Sequence, residues 1–189
     1  GDPMVVARAS YLPESPNTVE RFAALAMPAA KEALSPLTAG KKQVTGIPLV
    51  LGLPPARPGR PQNLDTELTQ RFKAELGDGN LLSATRAVPT GHASGLAALE
   101  QAWRLIRSGE IDACLVVGVD SYEDADTLEW LDDLEQLHSD TNKWGFIPGE
   151  GAGFVFLSSP QFAQKHKLLP LGEVLAVALA REPNMIKTD

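Results

Sequence analysis

Residues 81 to 119 read as strand, tight turn, helix and strand in unbroken succession, and no other stretch limits the possible folds as strongly. Leu81 to Val88 fits a strand. After Pro89-Thr90-Gly91 the apolar period becomes helical, with Leu96, Leu99, Trp103 and Ile106 on one stripe. Gly109 stands just past that helix, where a left-handed residue costs least. Ile111 to Val119 then has the apolar continuity of a buried strand. A strand feeding a helix feeding a strand is the unit of an α/β fold.

The flanking sequence continues the alternation. From Thr18 to about Leu37 the residues Val19, Phe22, Ala26, Ala29, Ala33 and Leu37 keep near-helical spacing, with Asn17 and Glu20 placed as a capping box and Pro28 expected to kink the helix. Ile47 to Leu53 reads as a short buried strand. The proline-rich Pro54 to Pro61 reads as a loop, and Leu64, Leu68, Phe72 and Leu76 mark a second helix. Asp124 to Leu137 reads as an acidic surface helix or loop. Ala152 to Leu157 and Leu169 to Leu179 are expected strands, separated by a short polar helix around Gln161 to Lys167. The strands expected in this way number five.

At 189 residues and 43% hydrophobic content, the chain can bury a core of one domain's size. Its 17 basic and 24 acidic residues give a net charge of -7, which lacks the positive field that nucleic acid or an anionic membrane would need. No long apolar run and no signal-peptide pattern occurs, so a cytoplasmic location is the expectation. The single cysteine, Cys114, lies inside the run Ala113 to Val117, which excludes an internal disulfide and a thiolate metal cluster and marks it as a small core hydrophobe. Neither a cofactor nor a metal is expected.

Chemistry concentrates at three places: the turn at His92, the glycine-rich run Gly145 to Gly153, and the strand Ile111 to Asp120. On the residues alone, His92 can be a structural histidine bonded to backbone, a proton-transfer or ligand-contacting group, or a metal ligand, although His138 and His166 have no motif spacing with it. Ser94 does not complete a nucleophile elbow, because it sits one place late between glycines four apart. Glu150 lies between two glycines that permit a strained turn or close packing. Eleven acidic residues and no Lys or Arg fall between Arg107 and Lys143, a pattern that suits a solvated face.

Taken together, His92-Ala93-Ser94-Gly95-Leu96-Ala97-Ala98-Leu99, the helix stop Arg107-Ser108-Gly109 and the run Gly145-Phe146-Ile147-Pro148-Gly149-Glu150-Gly151-Ala152-Gly153 resemble the N-terminal half of the β-ketoacyl synthases, over about the last hundred residues. The resemblance implies an α/β thiolase-like fold, one half of a layered α/β/α/β/α architecture with a mixed five-stranded sheet. It implies that residues 1–189 form a single N-terminal-type domain, with the family's opening strand and its C-terminal half outside this chain.

In that family a cysteine occupies the turn, and here His92 stands in its place. A cysteine at a helix N-terminus loses its proton readily. An imidazole there meets the same field, which works against its charged form, and an acyl-imidazole is too labile to replace a stable thioester. The resemblance therefore implies a protein that handles acyl thioesters, with condensation lost or altered. The alternatives are a non-catalytic scaffold subunit like the chain-length factors, or an enzyme using His92 as a base without a covalent intermediate. The site would centre on His92 as catalytic residue, with Gly149, Glu150 and Gly151 contacting substrate. Expected partners are an acyl thioester or acyl carrier protein, for which Arg57 and Arg60 are the candidate dock. A homodimer, or a heterodimer with a synthase subunit, is also expected, paired through about Asn80 to Val88.

Overall fold

Two apolar strands whose successive side chains point to opposite sides must be covered on both faces. In the computed structural model, which describes residues 5–13, 18–38, 44–76 and 81–180, that covering is done by helices from different parts of the chain. The elements in order are α1 (Val19–Thr38), β1 (Ile47–Gly52), α2 (Leu64–Glu75), β2 (Leu82–Val88), a 3-10 turn (Gly91–Ala93), α3 (Ser94–Arg107), β3 (Ala113–Ser121), α4 (Ala125–Asp133), β4 (Glu150–Ser158) and α5 (Pro160–Lys165). The sheet order is β2-β1-β3-β4. β1 runs parallel to β2 and to β3, while β4 is antiparallel to β3 in a register that sets Val116 opposite Val155 and Gly118 opposite Gly153.

Period two sorts the core. Leu49 and Leu51 of β1, with Leu115, Val117 and Val119 of β3, face α1 and α2, where Phe22, Leu34 and Phe72 are fully enclosed. Val50, Cys114 and Val116 point the other way and meet Ala98 and Ala102 of α3. Thr18 Oγ1 accepts from the Arg21 N–H, capping α1 at its third residue. The capping residue Asn17 expected from sequence lies outside the described residues. α1 continues as one helix through Pro28 and Pro36.

α3 ends as its sequence predicts. Gly109 takes φ 74°, its N–H donates to the carbonyl of Ile106, and the N–H of Glu110 donates to that of Leu105. These two bonds are the Schellman stop, which satisfies carbonyls that the helix would otherwise leave open.

The described residues hold four strands rather than the expected five. Leu169 to Leu179 has a strand's composition but forms neither helix nor strand, and Leu169, Leu171, Leu175 and Leu179 stay exposed. A strand exists only through hydrogen bonds to a neighbour, and no described segment pairs with this one. The indole N–H of Trp103 ties it to α3, donating to the carbonyl of Val174 at 3.1 Å. No helix among the described residues is long and apolar enough to cross a membrane.

Candidate functional site

Glycines bring α3 unusually close to the sheet. A Cβ on Gly52, the last residue of β1, would fall 2.5 Å from the backbone of Ser94, and one on Gly118 in β3 would fall 3.2 Å from Cα of Gly95. Bare backbone at these positions lets the first turn of α3 sit on the carboxyl ends of β1 and β3, the edge where open α/β sheets bind ligands. Gly91, at φ 83°, makes the bend that leads β2 into this helix.

Ser94 locks the bend. It is buried, its Oγ accepts from the N–H of Thr90 at 2.9 Å, and its hydroxyl hydrogen is shared between the carbonyls of Gly91 and Leu53. A hydroxyl committed in this way staples the turn to β1 and is not poised for attack.

His92 therefore leaves a 3-10 turn between a strand end and a helix start, as the sequence anticipated, with its ring exposed on one side. It lines a cleft of about 310 Å³ whose floor includes Gly52, Gly118, Gly151 and Gly153. Two aromatic neighbours fix the ring. Tyr122 lies nearly parallel to it at 6.2 Å, with its Oη 3.4 Å from His92 Nδ1, and Phe146 meets it edge-on at 5.8 Å. A Cβ on Gly145 would fall 2.2 Å from the backbone of Leu137, so that glycine lets the segment carrying Phe146 close against its neighbour.

Of the three residues expected to contact substrate, only Gly151 lines the cleft. Gly149 backs onto Ala7 of the N-terminal segment. The Glu150 carboxylate enters the interior and receives Arg21 Nε at 2.7 Å and Arg21 Nη2 at 2.6 Å, with Ala9 N–H and Ser121 Oγ at 2.9 Å each. Both side chains are closed to solvent, at 1% and 0% exposure. Burial pushes the Glu150 carboxyl up, but the hydrogen bonds from Arg21, Ala9 and Ser121 and the charge of Arg21 outweigh it, so the group titrates below the usual carboxylate range. The same bond raises Arg21 above its ordinary value.

The proline-rich loop also differs from expectation. Arg57 points inward with 3% of its side chain exposed, grips Asp120 at 2.6 and 3.2 Å, donates to the Ser121 carbonyl, and stacks 4.1 Å over the Tyr122 ring. Arg60 donates to the carbonyls of Pro54 and Pro61. Arg57 staples the loop to the site and its enclosed side chain does not fit the reading of it as a carrier dock, while Arg60 bonds within the loop. Within the acidic run, Asp120 belongs to this brace and Asp124 caps α4. Among the described residues no His, Cys, Asp and Glu cluster could hold a metal.

Cys114 is enclosed between the sheet and α3, and burial pushes its thiol up to about 12. It stays a protonated core residue, away from the cleft.

This geometry fits what the sequence comparison returns. Residues 80–163, which include the turn, α3, β3 and the glycine run, match the family model for the beta-ketoacyl synthase N-terminal domain. That stretch is similar to the N-terminal domain of the β-ketoacyl synthases. No curated protein sequence matches the chain. Among solved structures, the fold is similar to a type II PKS acyl-carrier protein in complex with its ketosynthase, AntDE:AntF, at TM-score 0.61 and 18% identity over 87% of this chain and 49% of that one. It is similar to a beta-ketoacyl synthase from Burkholderia phymatum STM815 at TM-score 0.58 and 16% identity, over 87% and 50%. A module 6 ketosynthase of the bacillaene synthase from Bacillus subtilis 168 follows at TM-score 0.51 and 22% identity, over 75% and 28%. The chain thus spans about half the length of two of these ketosynthase structures and has one half of the thiolase-like fold.

Tyr122 is the site residue that sequence reasoning missed, and Asp120 and Arg57 take roles there that the sequence did not suggest. The acidic surroundings of Tyr122 hid it, since its partner Arg57 is far away in sequence. The signal available was a pair of arginines in a loop too rigid in proline to wave freely.

Proposed function

We propose that this chain is one half of an acyl-thioester-binding protein on the β-ketoacyl synthase fold, with His92 in the place of the family's cysteine and no acyl-enzyme formed. One observation supports this most directly: the cleft at the start of α3 holds an imidazole, while the chain's one thiol is sealed in the core. Gly151 and Gly153 leave the floor of the cleft free of side chains, which suits an extended substrate arm passing close to backbone. The test is incubation with an acyl carrier protein charged with a radiolabelled octanoyl group. Saturable binding with no label retained after denaturation is expected, and retained label would overturn the reading.

A second reading, a scaffold subunit partnering an active condensing enzyme, is favoured by the apolar surface on the α3 side. Leu96 is 62% and Val155 45% exposed there. Copurification with a cysteine-containing synthase is the outcome that reading requires, and acyl transfer by the isolated protein excludes it. In either case β2, an edge strand paired only with β1 among the described residues, is the proposed dimer contact, since pairing would protect that edge. Cross-linking through a cysteine introduced at Arg86 tests this, and an exclusively monomeric product counts against it.

A further inference from the structure

In a neutral imidazole one nitrogen donates and the other accepts, and the partner of the first decides what the second can do. His92 Nδ1 has such a partner in the Tyr122 hydroxyl, at 3.4 Å. The contact is long, as bonds in ligand-free sites often are. A phenol O–H is a far better donor than its conjugated oxygen is an acceptor, and a bare imidazole nitrogen is a strong neutral acceptor. The proton between them therefore belongs to Tyr122.

Tyr122 is held for this role. Burial, followed by the negative charge of Asp120, raises its pKa, so the phenol stays protonated. From behind, the Arg57 guanidinium lies 4.1 Å from its ring centre and is itself pinned by two bonds to Asp120 and one to the Ser121 carbonyl. Phe146 closes the group, edge-on to both rings. Neither ring of the Tyr122–His92 pair can turn away without breaking this packing.

We infer that His92 offers Nε2–H to the cleft as a hydrogen-bond donor for the carbonyl oxygen of a bound thioester, and that Tyr122, braced by Arg57 and Asp120, is the positioning residue that sets this tautomer. The inference rests on the acyl-thioester reading and deepens it. With the Nδ1 lone pair occupied by the phenol and Nε2 carrying a proton, His92 is neither nucleophile nor base. It holds and polarises a carbonyl, as a pocket that retains an acyl group unchanged would require.

The experiment has two arms, both on the full chain. Two-bond nitrogen–proton correlation spectra of the ring report the tautomer directly. A protonated Nε2 and a bare Nδ1 are expected in the wild type, and a mixture of tautomers in Tyr122→Phe, which keeps the ring packing. A protonated Nδ1 in the wild type, or an unchanged tautomer in Tyr122→Phe, overturns the inference and leaves the binding reading standing. In the second arm, hexanoyl-pantetheine labelled with carbon-13 at its thioester carbonyl is titrated in. A downfield carbonyl shift on binding is expected, lost in His92→Phe together with a roughly three- to tenfold weaker Kd. Binding with the same carbonyl shift in both proteins defeats the inference alone. Absence of binding to the wild type defeats the acyl-thioester reading and the inference with it.

Discussion

The two faces of the sheet are built to different standards. On one, α1 and α2 enclose Phe22, Leu34, Phe72, Leu51 and Leu115 completely. On the other, α3 covers β1 and β3 through small contacts, Ala98 and Ala102 against Val50, Cys114 and Val116, and leaves Gly151, Gly153 and Val155 of β4 exposed. The first face supplies the stability. The second surrenders apolar burial, and with it come a helix start pressed onto bare glycines, a cleft and an exposed imidazole.

The comparison breaks if the closed face proves soft. Phe72→Ala should cost about 3–5 kcal/mol, the usual result of emptying a filled core position, read as a fall in the urea midpoint at constant slope. The Arg21–Glu150 pair lies on the same face, and Arg21→Met, which leaves a buried carboxylate without its counter-charge, should cost a similar amount, about 3–5 kcal/mol. Glu150 has a depressed pKa when folded, so its contribution is complete above the ordinary glutamate value of about 4.3 and disappears as pH falls through the lower folded value. Urea midpoints measured from neutral pH down to pH 3 should therefore fall more steeply in the wild type than in Glu150→Gln.

The open face should respond in a graded manner. Gly52→Ala places a methyl against the Ser94 backbone and should cost about 1–3 kcal/mol, while also shifting the His92 ring resonances, because α3 must lift from the sheet. Val155→Thr should stay within about 0.5 kcal/mol, since its side chain has little to lose in the chain alone. A cost of several kcal/mol at Val155 would mean that this face is closed in solution, and the contrast would fail.

Legibility in the sequence followed the same division. The unit from Leu82 to Ser121 was readable because its signals are local: the helical stripe, Gly91 at the bend and Gly109 at the stop. His92 could be placed for the same reason. Pairings across long separations were not readable. Nothing near Glu150 announces that Arg21 lies behind it, and a turn flanked by glycines reads equally well as a ligand loop or as a buried anchor. Arg57 was misjudged because loop arginines are ordinarily solvated, whereas Tyr122 and Asp120 here offer both a ring to stack on and a carboxylate to grip. The segment Leu169 to Leu179 has the composition of a strand but forms none, since composition records a preference that only a neighbouring strand can realise.

The position of β1 has a further consequence for how the molecule comes into being. It is the earliest of the four strands, yet it is central to them, and both flanking strands are made later, with Leu49 meeting Thr85 on one side and Leu115 on the other. During synthesis this sticky apolar ribbon must wait beside the ribosome for partners not yet translated, the situation in which non-local parallel pairing is slow and aggregation competes. Slower, cooler expression should therefore raise the soluble yield of this chain more than that of a helical bundle of equal length.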